Sequence, residues 1–206
     1  NKLVGLNSDV SCFSFFANKT ITTGEGGMVV FKSLKLANKA RILINHGMSP
    51  KKKYFHEMAG FNFRMTNMQA GIGVAQIKRI KHLLKLRKKI FKHYDRNLGK
   101  IDNITLLPSN NWSTNSMWLY TILIEDISQN QRDKLIRGMM NCGIECRPGF
   151  ASLNTMKPFK KYSAGSYKIS NNLSSKSISI PSSNISATEQ NYIVDKLKNE
   201  IEVLKK

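Results

Sequence analysis

The sequence predicts an α/β protein, and three observations carry that prediction. Apolar, β-branched and aromatic runs of strand length alternate along the chain with stretches of helical periodicity. Capping-box spacings open three of the helical stretches: Thr66 with Gln69, Ser128 with Gln131, and Ser186 with Glu189. Glycine or proline closes most of the elements, as at Gly47, Gly143, Pro148 and Pro181. Such alternation is the pattern of strands covered by helices.

The chain opens with a strand–turn–strand unit. Cys12, Phe13, Phe15 and Phe16 make 12–16 a buried-strand candidate, and Met28, Val29, Val30 and Phe31 make a second. A polar turn ending in Gly24-Glu25-Gly26-Gly27 joins them. Leu34, Ala37, Ile42 and Leu43 predict a short helix over 34–45, stopped by Gly47 and then Pro50. Residues 51–64 read as a loop. Its Tyr54, His56, Phe61 and Phe63 suit packing on a ligand or a partner subunit. The Thr66–Gln69 box starts one long helix to about residue 98, with Ile77, Ile80, Leu84, Phe91, Tyr94 and Leu98 in an apolar stripe. Its first turns, 70–75, are small and apolar, which predicts close packing or an interface.

Residues 99–116 carry glycine, proline and asparagine and read as a linker. The chain therefore divides into 1–97, the end of a larger domain with its long linking helix, and 98–206, a small α/β domain. In the second part, 118–124 is a strand and 128–142 a helix closed by Gly143. A short strand over 144–148 and an irregular stretch over 149–167 follow. A short helix over 167–174 leads to an edge strand at 177–181, which Pro181 stops. An amphipathic helix through Ile193, Leu197, Ile201 and Leu204 ends the chain.

Composition narrows the function classes. Of 206 residues, 41% are hydrophobic and 22% charged, as in ordinary globular proteins. No apolar run approaches the roughly 18 residues of a membrane span. The chain starts at Asn1 without a signal-peptide core and enters a strand almost at once, so it is expected to be a piece of a longer protein. The net charge of +20 predicts attraction to polyanions, but lysine dominates the excess and is spread along the chain, a profile that biased codon usage also produces. The interleaved arginines and aromatics of a nucleic-acid reader are missing, so nucleic acid is not the expected partner. A basic nucleic-acid-binding module stands as the alternative from another class. Cys12, Cys142 and Cys146 form no metal pattern, and their odd number fits a reducing cytoplasm.

Lys19 is the first candidate for chemistry. It lies between two apolar strand candidates, and an ammonium resists burial unless it is paired or used. A desolvated lysine can act as a nucleophile toward an aldehyde, forming a Schiff base. The plain alternative is a lysine snorkelling from a strand end into water. The Gly24–Gly27 turn lacks the lysine–serine ending and following helix of a phosphate loop.

Three motifs stand in order along the chain, Ser14-Phe15-Phe16-Ala17-Asn18-Lys19, Asn45-His46-Gly47 and the run from Gly60 to Ala70, and together they resemble those of the DegT/DnrJ/EryC1/StrS family of pyridoxal-phosphate sugar aminotransferases. Ser14-Phe15-Phe16-Ala17-Asn18-Lys19, followed by Ile21-Thr22-Thr23-Gly24-Glu25-Gly26-Gly27, resembles the family's Schiff-base lysine segment. Asn45-His46-Gly47 resembles its Asn-His-Gly element, and the run from Gly60 to Ala70 its Gly-Tyr-Asn-Tyr-Arg-Met block. The Arg64-Met65-Thr66-Asn67 wording is similar to the perosamine-synthase branch, which aminates C4 of a 4-keto-6-deoxy sugar.

The resemblance implies the aspartate aminotransferase-like fold type I, with this chain as the C-terminal part of the large domain plus the small domain. It implies pyridoxal 5'-phosphate as cofactor, a nucleotide-linked keto sugar as substrate, glutamate as amino donor, and a role in amino-sugar and polysaccharide biosynthesis. By the same resemblance Lys19 binds the cofactor and moves the proton, and Ser14 donates to its phosphate. Asn62 reaches the phosphate in the neighbouring subunit, which implies a homodimer with shared active sites, and His46 lies near the substrate. Some members of the family carry histidine in place of the lysine and are dehydratases, so Lys19 favours amino transfer. The family's aspartate on the pyridine nitrogen and its phosphate-binding helix start have no counterpart here. The chain alone is accordingly expected to show little or no activity, and an inactive or regulatory relative is the remaining alternative.

Overall fold

In a computed structural model residues 3–204 are described, and the chain separates into two units, one ending at Lys81 and the other beginning at His82.

In the first unit, β1 (Val10–Ser14) and β2 (Gly27–Phe31) pair antiparallel, with Val10 opposite Phe31 and Ser14 opposite Gly27. The apolar pattern predicts burial here, and the structure differs. Phe13 is 42% exposed and Met28 54%, because the two strands form a sheet of their own whose faces the described residues leave largely uncovered. Helix α1 (Leu34–Leu43) starts at Ser33, whose side chain accepts from the Leu36 amide, and carries Arg41 in its last turn, where the helix dipole favours a cation. Helix α2 (Asn67–Lys78) opens with the predicted Thr66–Gln69 box, both reciprocal bonds being present. The single long helix expected from there is instead two. Arg79, at φ −101° and ψ 3°, leaves helical geometry before α3 (Ile80–Leu98) begins. Most of the small residues of 70–75 are exposed rather than tightly packed.

The second unit is built on a four-stranded sheet in the order β3 (Ile104–Thr105), β4 (Tyr120–Ile124), β6 (Ser177–Ile180), β5 (Arg147–Pro148), with every pairing antiparallel. The two residues of β3 lie inside the stretch expected to be a linker. The strand expected at an edge is an interior one, because β5 pairs along its far side; Pro181 follows the last strand residue and so removes no ladder bond. Helices α4 (Gln129–Asn141), α5 (Lys168–Lys176) and α6 (Ala187–Leu204) complete the unit.

Alternation decides which sheet face is buried. Tyr120, Ile122 and Ile124 of β4 and Ile178 and Ile180 of β6 pack with Tyr94, Leu98, Leu135, Met139, Leu197 and Ile201 from the helices. Each fully buried side chain of this size contributes about 1.5–3 kcal/mol. Polar bonds fix the layers: the Gln190 amide donates to the Ile90 carbonyl at 2.9 Å, and the Tyr94 hydroxyl to the Pro181 carbonyl at 2.7 Å. Among the described residues no helix is long and apolar enough to cross a membrane.

Candidate active site

The lysine segment is a closed excursion from the β1–β2 pair. The Phe15 amide donates to the Gly26 carbonyl at 2.9 Å, and the Thr23 amide to the Phe15 carbonyl at 2.9 Å. Between these closures the chain makes a tight turn, in which the Lys19 amide donates to the Phe16 carbonyl at 3.0 Å. Lys19 is half-buried. The strand that precedes it ends at Ser14, whose exposed Oγ accepts from the Phe16 amide at 3.3 Å.

Two threonines hold the return limb. Thr22 Oγ1 donates to the Phe15 carbonyl at 2.9 Å and accepts from the Gly24 amide at 2.9 Å. Thr23, 4% exposed, donates from Oγ1 to the Glu25 carbonyl at 2.7 Å. Gly24 at φ +78° and Gly26 at φ +148° take backbone conformations that side chains resist. A Cβ on Gly26 would stand 2.5 Å from Thr23 Oγ1 and 2.8 Å from Met65 Cε, so this turn is packed as well as twisted.

His46 and Asn62 form a second grouping. Asn45 and Asn62 make an isolated antiparallel bridge, the His46 amide donates to the Phe61 carbonyl at 2.9 Å, and the Phe61 amide to the Leu43 carbonyl at 2.7 Å. Two motifs separate in sequence are thereby one structural piece. His46 sits at φ +60°, and its carbonyl accepts from His56 Nδ1 at 2.8 Å. The guanidinium of Arg64 donates to Asn45 Oδ1 at 3.3 Å. The side chains of His46 and Asn62 are exposed.

Sequence reasoning gave His56 and Gln69 no individual role at this site. Gln69 was legible only as a capping residue, and His56 only as one polar ring in an aromatic loop. The donor set fits the aldehyde and phosphate of pyridoxal phosphate and offers no carboxylate assigned to its pyridine nitrogen. Lys19 supplies a primary amine for the aldehyde, and the Ser14 hydroxyl and Asn62 amide can donate to phosphate oxygens.

Residues 1–198 match the model of the DegT/DnrJ/EryC1/StrS aminotransferase family. The chain is 37% identical over 169 residues to a GDP-perosamine synthase of Caulobacter vibrioides, covering 82% of this chain and 46% of that one. To a GDP-perosamine synthase of Vibrio cholerae it is 37% identical over 182 residues, 88% of this chain and 49% of the relative. Its fold matches the Helicobacter pylori aminotransferase involved in the biosynthesis of pseudoaminic acid with a TM-score of 0.90 at 26% identity, over 98% of this chain and 56% of that chain. A sugar aminotransferase of Streptococcus pneumoniae in its PLP form matches with a TM-score of 0.89 at 25% identity, over 99% and 54%. The chain thus spans about half the length of the relatives it matches. These likenesses bear out the expected aspartate aminotransferase-like α/β fold.

Proposed function

The chain belongs to the DegT/DnrJ/EryC1/StrS aminotransferase family, and on that premise we propose that it serves the pyridoxal 5'-phosphate-dependent transfer of an amino group to a keto sugar carried on a nucleotide. The observation that carries this reading is Lys19 in a turn closed at its base by two backbone bonds and braced by Thr22 and Thr23. A lysine so held presents its amine from a fixed backbone, which positioned catalysis needs. When bound, the cofactor supplies the electron sink.

The chain's own residues then have separate tasks. Lys19 Nζ binds the cofactor, and once released it carries the proton at the reacting carbon. Ser14 Oγ donates to the phosphate. Asn62 donates to the phosphate in a second subunit, so the active unit is a homodimer with shared sites. His46, on the same piece of backbone as Asn62, stands on the substrate side. The similarity to two GDP-perosamine synthases favours GDP as the carrier, and the motif resemblance adds a 4-keto-6-deoxyhexose as acceptor and glutamate as donor. Cys12, Cys142 and Cys146 are free thiols, which suits a cytoplasmic enzyme.

The test follows the nitrogen. With ¹⁵N-glutamate and a GDP-linked 4-keto-6-deoxyhexose, a polypeptide that carries this chain at the full length of its relatives is expected to label the amino sugar. Lys19→Ala should lower that rate by about 10³-fold or more, in the range assigned to a general acid–base group. Transfer that survives Lys19→Ala, or label that never reaches the sugar, would overturn the reading.

A further inference from the structure

Glu25 lies between Gly24 and Gly26, two positions of positive φ whose backbone freedom leaves the intervening peptide planes poorly set by local preference. What sets them is hydrogen bonding to the Glu25 carbonyl, on which two donors converge: Thr23 Oγ1 at 2.7 Å and Gln69 Nε2 at 3.1 Å. A carbonyl oxygen has two lone pairs, so this pair of donors satisfies it. The next residue, Gly26, is the one whose carbonyl closes the lysine turn on Phe15.

Gln69 is also the third residue of α2. Its Oε1 accepts from the Thr66 amide and hydroxyl, each at 3.0 Å, while its own amide donates to Thr66 Oγ1 at 3.3 Å. A capping box needs only that acceptor oxygen, and glutamate supplies it as well as glutamine. The bond from Nε2 to Glu25, reaching 44 residues back along the chain, lies outside the capping role. Gly73 shares the helix face of Gln69 one turn on. A Cβ there would lie 3.1 Å from the Thr23 γ-methyl. The face of α2 bearing Gln69 and Gly73 is thus seated on residues 23–25.

We propose that Gln69 is a positioning residue for Lys19, its side-chain amide tying the capped start of α2 to the Glu25 carbonyl and so holding the turn that presents the lysine. For catalysis the inference rests on the amino-transfer reading above. The hold on the turn stands independently of it.

Glutamate at position 69 separates the two jobs, since it keeps the capping acceptor and lacks the N–H donor. Amide hydrogen exchange is compared in the wild-type chain, Gln69→Glu and Gln69→Leu. In Gln69→Glu the amides of Phe15 and Thr23 are expected to exchange about fivefold to tenfold faster, the factor a lost hydrogen bond commonly gives. The amides of Gln69 and Ala70 should stay as protected as in wild type. Gln69→Leu should loosen both sets. In active enzyme, Gln69→Glu should lower kcat roughly tenfold with the KM for the nucleotide sugar unchanged, as for a misplaced reacting group. Wild-type exchange at Phe15 and Thr23 in Gln69→Glu overturns the proposal, as does a loss carried wholly by KM. A loosened turn in Gln69→Glu, beside a wild-type polypeptide of the relatives' full length that moves no nitrogen, overturns the amino-transfer reading and leaves the hold of Gln69 on the turn standing.

Discussion

Gly60 lies so close to Gly47 that a Cβ built on Gly60 would fall 2.1 Å from the Gly47 amide nitrogen. Gly47 in turn stands at φ +67°, where a Cβ would meet the Met58 carbonyl oxygen at 1.8 Å. Backbone rests on backbone here, and that contact seats Asn45-His46-Gly47 against the block that begins at Gly60. The proximity of His46 and Asn62 depends on the absence of two side chains.

Alanine at either glycine is therefore expected to be severe. Gly47→Ala and Gly60→Ala should each destabilise the first unit by at least about 2 kcal/mol and raise amide exchange at His46, Phe61 and Phe63. Gly71 in α2 is the control, since a Cβ there meets nothing within 4 Å. Gly71→Ala should leave those amides alone and stabilise the chain by up to about 1 kcal/mol through helix propensity. Hydrogen exchange under native conditions measures all three.

Tyr120 offers a test in the second unit. Its ring is fully buried, edge-on to Phe91 at 4.9 Å, and its hydroxyl donates to Asp95 Oδ1 at 2.6 Å. Tyr120→Phe keeps the packing and deletes the bond, so urea unfolding followed by tryptophan fluorescence should show a loss of about 1–2 kcal/mol. Asp95→Asn retains an acceptor and should lose less.

Alkaline pH should weaken the same core. Burial pushes the Cys146 thiol up from its ordinary 9.0 to about 12, with Glu145 adding to the shift. Burial likewise raises the phenols of Tyr94 and Tyr120. A raised folded-state pKa means that the fold favours the neutral acid. The contribution of Cys146 is therefore complete below pH 9 and is lost as pH rises toward 12. Urea midpoints taken between these limits should fall with pH in the wild type, and Cys146→Ala should show a shallower slope. Parallel slopes would contradict the assignment.

Helix starts were legible in the sequence because capping is local. Thr66 with Gln69, Ser128 with Gln131 and Ser186 with Glu189 each form their reciprocal bonds across three residues. The turn about Lys19 was legible for a similar reason. Its glycines, and the hydroxyls of Thr22 and Thr23, act on backbone within seven residues of themselves. The family motifs were visible as residue strings, and Lys19, Ser14, His46 and Asn62 could be named from them before any geometry was known.

Long-range partners were not legible. Ile104 and Thr105 are strand only because β4 lies beside them, and 177–180 is interior only because Arg147 and Pro148 pair along its other side. The apolar runs at 12–16 and 28–31 marked two strands, the first of which lies at 10–14, but burial needs a covering layer, which a strand's own residues do not encode. Gln69 shows the division within one side chain. Its oxygen caps a helix three residues away, a role written in the spacing of the sequence. Its nitrogen reaches Glu25, a partner that only the folded chain could bring within 3.1 Å, since pairing across 44 residues depends on how the intervening backbone packs and not on any local preference.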